Sequence, residues 1–382
     1  MNNETRKETQ VLPKDVRYVG ADDLTLPLFE NQYPVQPMGV SYNSYLILDE
    51  KIAVMDSVDA RAADEWLAKL AHELDGRSPD YLVISHMEPD HSGSILRLAE
   101  KYQEMKLVGN TKTFTMLRQF FGAKAPTDDR LLEVGEGETL PLGAHTLHFM
   151  LAPMVHWPEV MVAYEETEKL LFSADAFGRF GSLGRTANAP WAPQARRYYY
   201  NIVGKYGAQV QALLKKASAL EIKTVCPLHG PVLTGEALGE ALRLYDLWSR
   251  WQSESPDDIL LAHASIHGNT ARAAELFKQK LEAKGARVTL CDLTTTEVSY
   301  AVANAFYCGK LVLACSTYDG GLFPPMEEFL SHLQAKGFRD RSVGLMENGS
   351  WAPAAARLMR AKLEEMKDLR VCGTVVSLRS AL

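Results

Sequence analysis

Short apolar or alternating runs are interleaved with stretches of helical spacing along the first two-thirds of the chain. Val40–Leu48 and Ile52–Asp56 are strand-like and predict an early hairpin that turns near Asp49–Lys51. Trp66, Leu67, Leu70 and Leu74 recur at helical spacing and predict a helix over Ala60–Leu74. The pattern continues with a strand over Tyr81–Ser85, a helix over Ile95–Lys101, a strand over Lys106–Gly109 and a helix over Thr111–Phe121. Further strands are expected at Leu131–Val134, His145–Leu151, Leu170–Ala174 and Lys223–Pro227, and a helix at Ala208–Leu220.

A polar, proline-containing break at Trp251–Asp258 changes the rhythm and places a domain boundary between residues 1–254 and 255–382. Beyond it strands and helices alternate strictly. Strands are predicted at Ile259–Ala264, Val288–Asp292, Leu311–Cys315, Ser342–Met346 and Val371–Val376. Helices are predicted at Thr270–Lys284, Thr296–Ala305, Pro325–Lys336 and Pro353–Met366. Such alternation is the signature of an open parallel sheet covered on both faces. No repeat relates the two halves.

Composition narrows the function classes. The 382 residues are 46% hydrophobic and 23% charged, with 41 basic and 48 acidic side chains and a net charge of -7. That balance gives no basic footprint for nucleic acid. No run reaches the roughly 20 apolar residues of a membrane helix. The first ten residues, MNNETRKETQ, lack an apolar signal core. The cysteines Cys226, Cys291, Cys308, Cys315 and Cys372 are sparse and form no Cys-x-x-Cys pair. They read as reduced thiols of a cytoplasmic protein, and they exclude a four-cysteine iron centre within this sequence.

The densest chemistry is His86-Met87-Glu88-Pro89-Asp90-His91, which follows an apolar strand and precedes Ser92-Gly93-Ser94. His86, Glu88, Asp90 and His91 are all metal-ligand types, and one loop cannot close two coordination spheres. Three more candidates stand after strands beside Gly or Pro: His156, Asp175 and His229. A carboxylate can bridge two metals, and Asp175 is the candidate bridge. A lone His or Asp after a strand is more often a satisfied structural residue. Seven in this order and company make a metal site the better reading. Zinc hydrolysis and iron redox chemistry both stay open on these residues alone.

In the second half, Ser265-Ile266-His267-Gly268-Asn269-Thr270 links the first strand to the first helix. Hydroxyls, a glycine and helix N-terminal amides can cradle a phosphate there. Ser316-Thr317-Tyr318-Asp319-Gly320-Gly321 and Asn348-Gly349-Ser350-Trp351 follow the third and fourth strands, at the edge where open α/β sheets bind ligands. Each loop alone could be an ordinary turn.

The metal-type residues resemble the metallo-β-lactamase pattern His-x-His-x-Asp-His, then a His, a bridging Asp and a final His. Glu88 stands where the hydrolases carry their second His, and an added oxygen ligand favours iron over zinc. With a flavodoxin-like second half, the chain from Gly39-Val40-Ser41-Tyr42-Asn43-Ser44-Tyr45 onward resembles the flavodiiron proteins. The resemblance implies an α/β protein: an N-terminal metallo-β-lactamase-like αββα sandwich, and a C-terminal flavodoxin-like doubly wound five-stranded parallel sheet. It implies two irons, one held by His86, Glu88 and His156 and the other by Asp90, His91 and His229, with Asp175 between them. Trp157 and Glu159 are expected to surround these ligands. It implies FMN on the three loops, with Trp351 near the ring. His267 and the Asn348–Trp351 sequence depart from the family pattern, as does the end of the sequence at Leu382, soon after the fifth strand, where relatives continue into another helix.

The implied activity is reduction of O2 to water or of NO to N2O. Electrons would come through FMN from a separate donor, such as rubredoxin or a reductase. A head-to-tail homodimer or a homotetramer is expected, with no nucleic acid or membrane partner. The competing readings are a dinuclear zinc hydrolase with a fused flavodoxin-like domain and a non-catalytic electron carrier.

Overall fold

The structure is a computed structural model describing residues 11–382; the polar segment 1–10 lies outside the described residues. The chain divides into two compact units. Tyr200–Gly207 joins Leu247–Leu382 in one, and the chain through Tyr199 together with Ala208–Asp246 forms the other.

The first unit is built on two six-stranded sheets. One runs Val16–Tyr18, Tyr45–Ile47, Ala53–Met55, Tyr81–Val83, Lys106–Gly109, Leu131–Glu133 in spatial order. Its first two pairings are antiparallel and the rest parallel. The other runs Thr139–Pro141, Thr146–Leu151, Met161–Glu165, Leu170–Phe172, Thr224–Cys226, Leu233–Thr234. Met55, Val83 and Val108 of the first sheet share one buried core with Phe149, Met161 and Phe172 of the second. The Ala63–Leu74 helix buries Trp66, Leu70 and Leu74 at the spacing seen in the sequence. The fold is the metallo-β-lactamase-like sandwich.

The predicted strand Val40–Leu48 is two strands. Val40–Tyr42 pairs with Ala21–Asp23 in a small separate sheet, while Tyr45–Ile47 joins the main one. The break at Asn43-Ser44 has a cause. The Asn43 amide donates to the carbonyls of Pro227 and Gly230 at 2.8 and 2.7 Å, and Ser44 Oγ donates to Asp56 O at 2.8 Å. The turn is held to the loop that follows Thr224–Cys226.

In the second unit five parallel strands lie in the spatial order Val288–Asp292, Ser255–Ala264, Cys308–Tyr318, Ser342–Asn348, Arg370–Leu378. In chain order this is second, first, third, fourth, fifth, the flavodoxin-like arrangement, with its reversal between the first and third strands. The helices Asn269–Glu282, Val298–Tyr307, Pro324–Ala335 and Ala355–Glu364 alternate with the strands. Leu261, Ala273, Ala274, Ala314 and Met346 form a core between the sheet and the first helix.

Candidate metal centre and flavin cleft

Each metal-type residue sits just past a strand. Beyond Tyr81–Val83, Ser85 N–H donates to the buried Asp56 carboxylate at 2.7 Å, which fixes the exit of the chain. Glu88 then precedes a single helical turn, Pro89–Ser92, and its carbonyl accepts from His91 N and Ser92 N at 2.9 and 2.8 Å. Proline fits the first helical position because no partner exists there for an N–H. This geometry turns Glu88 to one side and Asp90 and His91 to the other. Gly93 is required behind the turn. A Cβ there would lie 2.6 Å from Pro89 O and 2.9 Å from Ala60 N.

The structure gathers all seven predicted side chains into two adjoining groups: His86, Glu88, His156 and Asp175, and Asp90, His91 and His229. In the first group, His86 Nε2 lies 3.3 Å from Glu88 Oε2 and 3.5 Å from Asp175 Oδ2. His156 Nε2 lies 3.1 and 3.0 Å from the same two oxygens. In the second, His91 Nε2 lies 3.0 Å from His229 Nε2, 3.3 Å from Asp90 Oδ2 and 3.3 Å from Asp175 Oδ1. His229 Nε2 lies 3.2 Å from Asp90 Oδ2 and 3.6 Å from Asp175 Oδ1. Metal–ligand bonds of about 2.0–2.2 Å put neighbouring donor atoms roughly 3.0–3.5 Å apart, so these separations are those of ligand edges. Asp175 turns one oxygen to each group, as a bridge must.

The donor chemistry fits a pair of cations. Asp175 Oδ1 and both oxygens of Asp90 are buried without a hydrogen-bond partner among the described residues. His229 Nδ1 donates to Ser41 O at 2.7 Å, which leaves Nε2 to offer its lone pair inward. His86 Nδ1 donates to Glu159 Oε1 at 2.8 Å and is set the same way. The local field is strongly negative. Burial opposes charging His156, yet Asp175 and Glu88 beside it push the imidazole up to about 9. Burial likewise opposes ionising Asp175, but the surrounding imidazoles hold its carboxyl well below the ordinary range. Carboxylates that stay ionised inside protein are what a di- or trivalent ion requires.

Several neighbours went unread in the sequence. Phe29 packs edge-on to His229 at 5.3 Å, and Tyr198 lies 5.6 Å from the same ring. The Tyr198 hydroxyl is buried with no hydrogen-bond partner among the described residues. Burial and then the charges of Asp175, Asp90 and Glu88 hold the phenol far above its ordinary value, so it keeps its proton. Trp157, which was expected near the ligands, stands edge-on to His86 at 5.2 Å. A mouth of about 620 Å³ opens over Glu88 and Asp90, walled by Phe29, Glu30, Arg61 and Trp157. These residues come from segments far apart in sequence: Phe29 ends the short strand Leu28–Phe29 and Tyr198 ends the helix Trp191–Tyr198.

The loops of the second unit line a cleft of about 540 Å³. Ser265, Ile266, His267, Asn269 and Thr270 meet Ser316, Thr317, Tyr318, Asp319 and Gly320 there, with Asn348, Gly349, Ser350 and Trp351 on the far side. Gly268 and Gly321 were expected in the lining and are not part of it. Gly268 has φ +86° and its N–H is held by Ser265 Oγ at 3.1 Å, so it shapes the loop instead. Gly321 pairs with Tyr318 in a short strand. Ala352 and Ser380 line the cleft and were missed. Side chains tie the loops together: Thr270 Oγ1 to Ser316 Oγ at 2.8 Å, and Ala354 N to Thr317 Oγ1 at 2.9 Å. Asn348 exchanges two hydrogen bonds with the Ser380 backbone at 3.0 and 3.1 Å. Trp351 is 88% exposed, leaving an aromatic face free beside the cleft.

Comparison with known proteins agrees with this geometry. Residues 40–230 match the family described as ODP family beta lactamase. The rubredoxin-oxygen oxidoreductase of Megalodesulfovibrio gigas is 27% identical over 91% of this chain and 87% of its own. The anaerobic nitric oxide reductase flavorubredoxin of Vibrio vulnificus is 26% identical over 92% of this chain and 72% of its own. The crystal structure of the flavodiiron protein from Giardia intestinalis superposes with a TM-score of 0.86 at 26% identity, covering 95% of this chain and 91% of that one. The chain belongs to the ODP family of β-lactamase-like proteins and, within it, to the flavodiiron proteins, oxidoreductases with a diiron pair and FMN as their cofactors.

Proposed function

We propose that this protein reduces a diatomic oxidant, O2 to water or NO to N2O, with electrons relayed through FMN from an external donor such as rubredoxin. The observation that carries the reading is the division of Asp175 between two ligand groups, one of which contains Glu88. Bound there, two irons and FMN supply the electrons for the reduction. In this reading His86, Glu88 and His156 would hold one iron, Asp90, His91 and His229 would hold the other, and Asp175 would be shared between them. The cleft residues from Ser265 to Thr270 take the FMN phosphate, and the loops at 316–321 and 348–351 take the ring. The names of the relatives support both oxidants and a rubredoxin-type donor.

The chain's own groups serve the reduction in definable ways. Phe29 and Trp157 wall the ligands with apolar rings and limit water around them. Tyr198 holds a proton on a hydroxyl that nothing else in the described residues engages, beside Asp175 and Asp90. That hydroxyl is free to donate a hydrogen bond to a substrate held at the ligand groups. A head-to-tail dimer, or a tetramer built from it, brings one subunit's flavin cleft to the mouth over the other's ligands.

Anaerobically reduced protein mixed separately with O2 and with NO tests the reading. Rapid flavin reoxidation by at least one of the two, with loss of the dissolved gas, is the expected result. Flavin reoxidation at the rate of free reduced FMN with both gases would overturn it.

A further inference from the structure

We propose that Glu159 makes the two metal positions unequal, so that the His86–Glu88–His156 position takes its metal first and holds it more tightly. The inference rests on the ligand assignment above. It comes from the far side of three of the four imidazoles, where one ring meets a carboxylate, one a carbonyl and one no partner among the described residues. His86 Nδ1 meets the Glu159 carboxylate at 2.8 Å, and both side chains are 0% exposed. His229 Nδ1 meets only a neutral carbonyl, that of Ser41, at 2.7 Å. His91 Nδ1 is buried and has no partner among the described residues.

These differences act on metal affinity in one direction. A carboxylate behind an imidazole fixes the ring and raises its basicity toward the metal, and such outer partners change affinity by roughly 10–100-fold. Glu159 is anchored for this role. Its Oε1 also accepts Met87 N–H at 2.8 Å, and its own carbonyl accepts from the Asn110 amide at 2.6 Å. Its Oε2 has no partner among the described residues. A carbonyl behind His229 orients but adds no net charge. The His91 ring has no hydrogen bond on its far side, where it only packs, 4.7 Å from the His229 ring.

The test is an anaerobic titration of chelator-stripped, FMN-loaded protein with Co(II) alone, followed by its visible bands. Wild type is expected to fill in two steps at least about tenfold apart. Glu159→Gln keeps an oxygen acceptor for His86 and Met87 but removes the charge, so a mere strut would survive the change. The first step is expected to weaken roughly 10–100-fold in this variant while FMN stays bound. His91→Asn is expected to weaken only the second step, and it decides the matter should Glu159→Gln not fold. Two equal steps in wild type, wild-type affinity in Glu159→Gln, or loss of the first step in His91→Asn would overturn the proposal. No Co(II) binding by wild type would instead overturn the ligand assignment beneath it.

Discussion

At the scale of single residues, the account turns on which side chains share a metal and which only surround it. Asp175 turns one oxygen toward each candidate ligand group, so Asp175→Ala is expected to lose both irons while retaining FMN, measured by metal analysis and the visible spectrum. Full iron content in that variant would refute the bridge. Tyr198→Phe removes a proton that no ligand position needs. It is expected to keep its iron and lose turnover by about 10²-fold, the scale of a lost hydrogen-bond donor to developing charge. All seven ligand candidates were legible because each is a polar, metal-type residue just past an apolar strand, a pattern that survives in one dimension. Glu159 was legible only by its nearness to His156. Tyr198, Ser41 and Ser380 were not, because each meets its site through the folding of distant segments, and a buried tyrosine in a sequence reads like any other core residue.

At the scale of elements, close backbone approach and cross-loop hydrogen bonds place the ligand-bearing turns. Gly93 sits against Pro89 O and Ala60 N, so Gly93→Ala must push the Pro89–Ser92 turn away. A stability loss of about 1–3 kcal/mol in denaturant unfolding is expected, together with weakened metal at the Asp90–His91–His229 position. Asp49 joins two loops elsewhere in the sandwich, accepting from the His145 backbone and ring at 2.7 and 2.8 Å. Burial opposes its ionisation, but these hydrogen bonds hold its carboxyl at about 2, below the ordinary 3.8. A depressed carboxyl stabilises the fold above its unfolded value and loses that contribution as pH falls toward the folded one. Wild type is therefore expected to lose unfolding temperature between about pH 4 and pH 2, and Asp49→Asn to lose less over that window. Elements with polar ends were read closely: Ile95–Lys101, Lys106–Gly109, Thr111–Phe121 and Val288–Asp292 form as expected. Met161–Glu165 was overlooked because all five residues are buried and show no alternation. Gly235–Ser249 was overlooked because Gly235 and Gly239 weaken its helical signal.

At the scale of the whole molecule, the two units explain each other chemically. A diiron site of this kind needs electrons in single steps, and the doubly wound sheet offers a cleft suited to a flavin. The alternation of strands and helices after Trp251 made that second unit the most legible part of the fold. Its strand order could not be read, since sequence alternation is the same for every doubly wound order. The hydrolase reading loses its ground here, because a flavin has no part in metal-assisted hydrolysis. Among the described residues no helix is long and apolar enough to cross a membrane. The measurement that bears most directly on the account is stopped-flow reoxidation of the reduced flavin by O2 and by NO, in wild type and in Asp175→Ala. The account predicts fast reoxidation by at least one gas in wild type and a rate at least about 100-fold lower in the metal-free, FMN-loaded variant. Equal rates in the two proteins would contradict it.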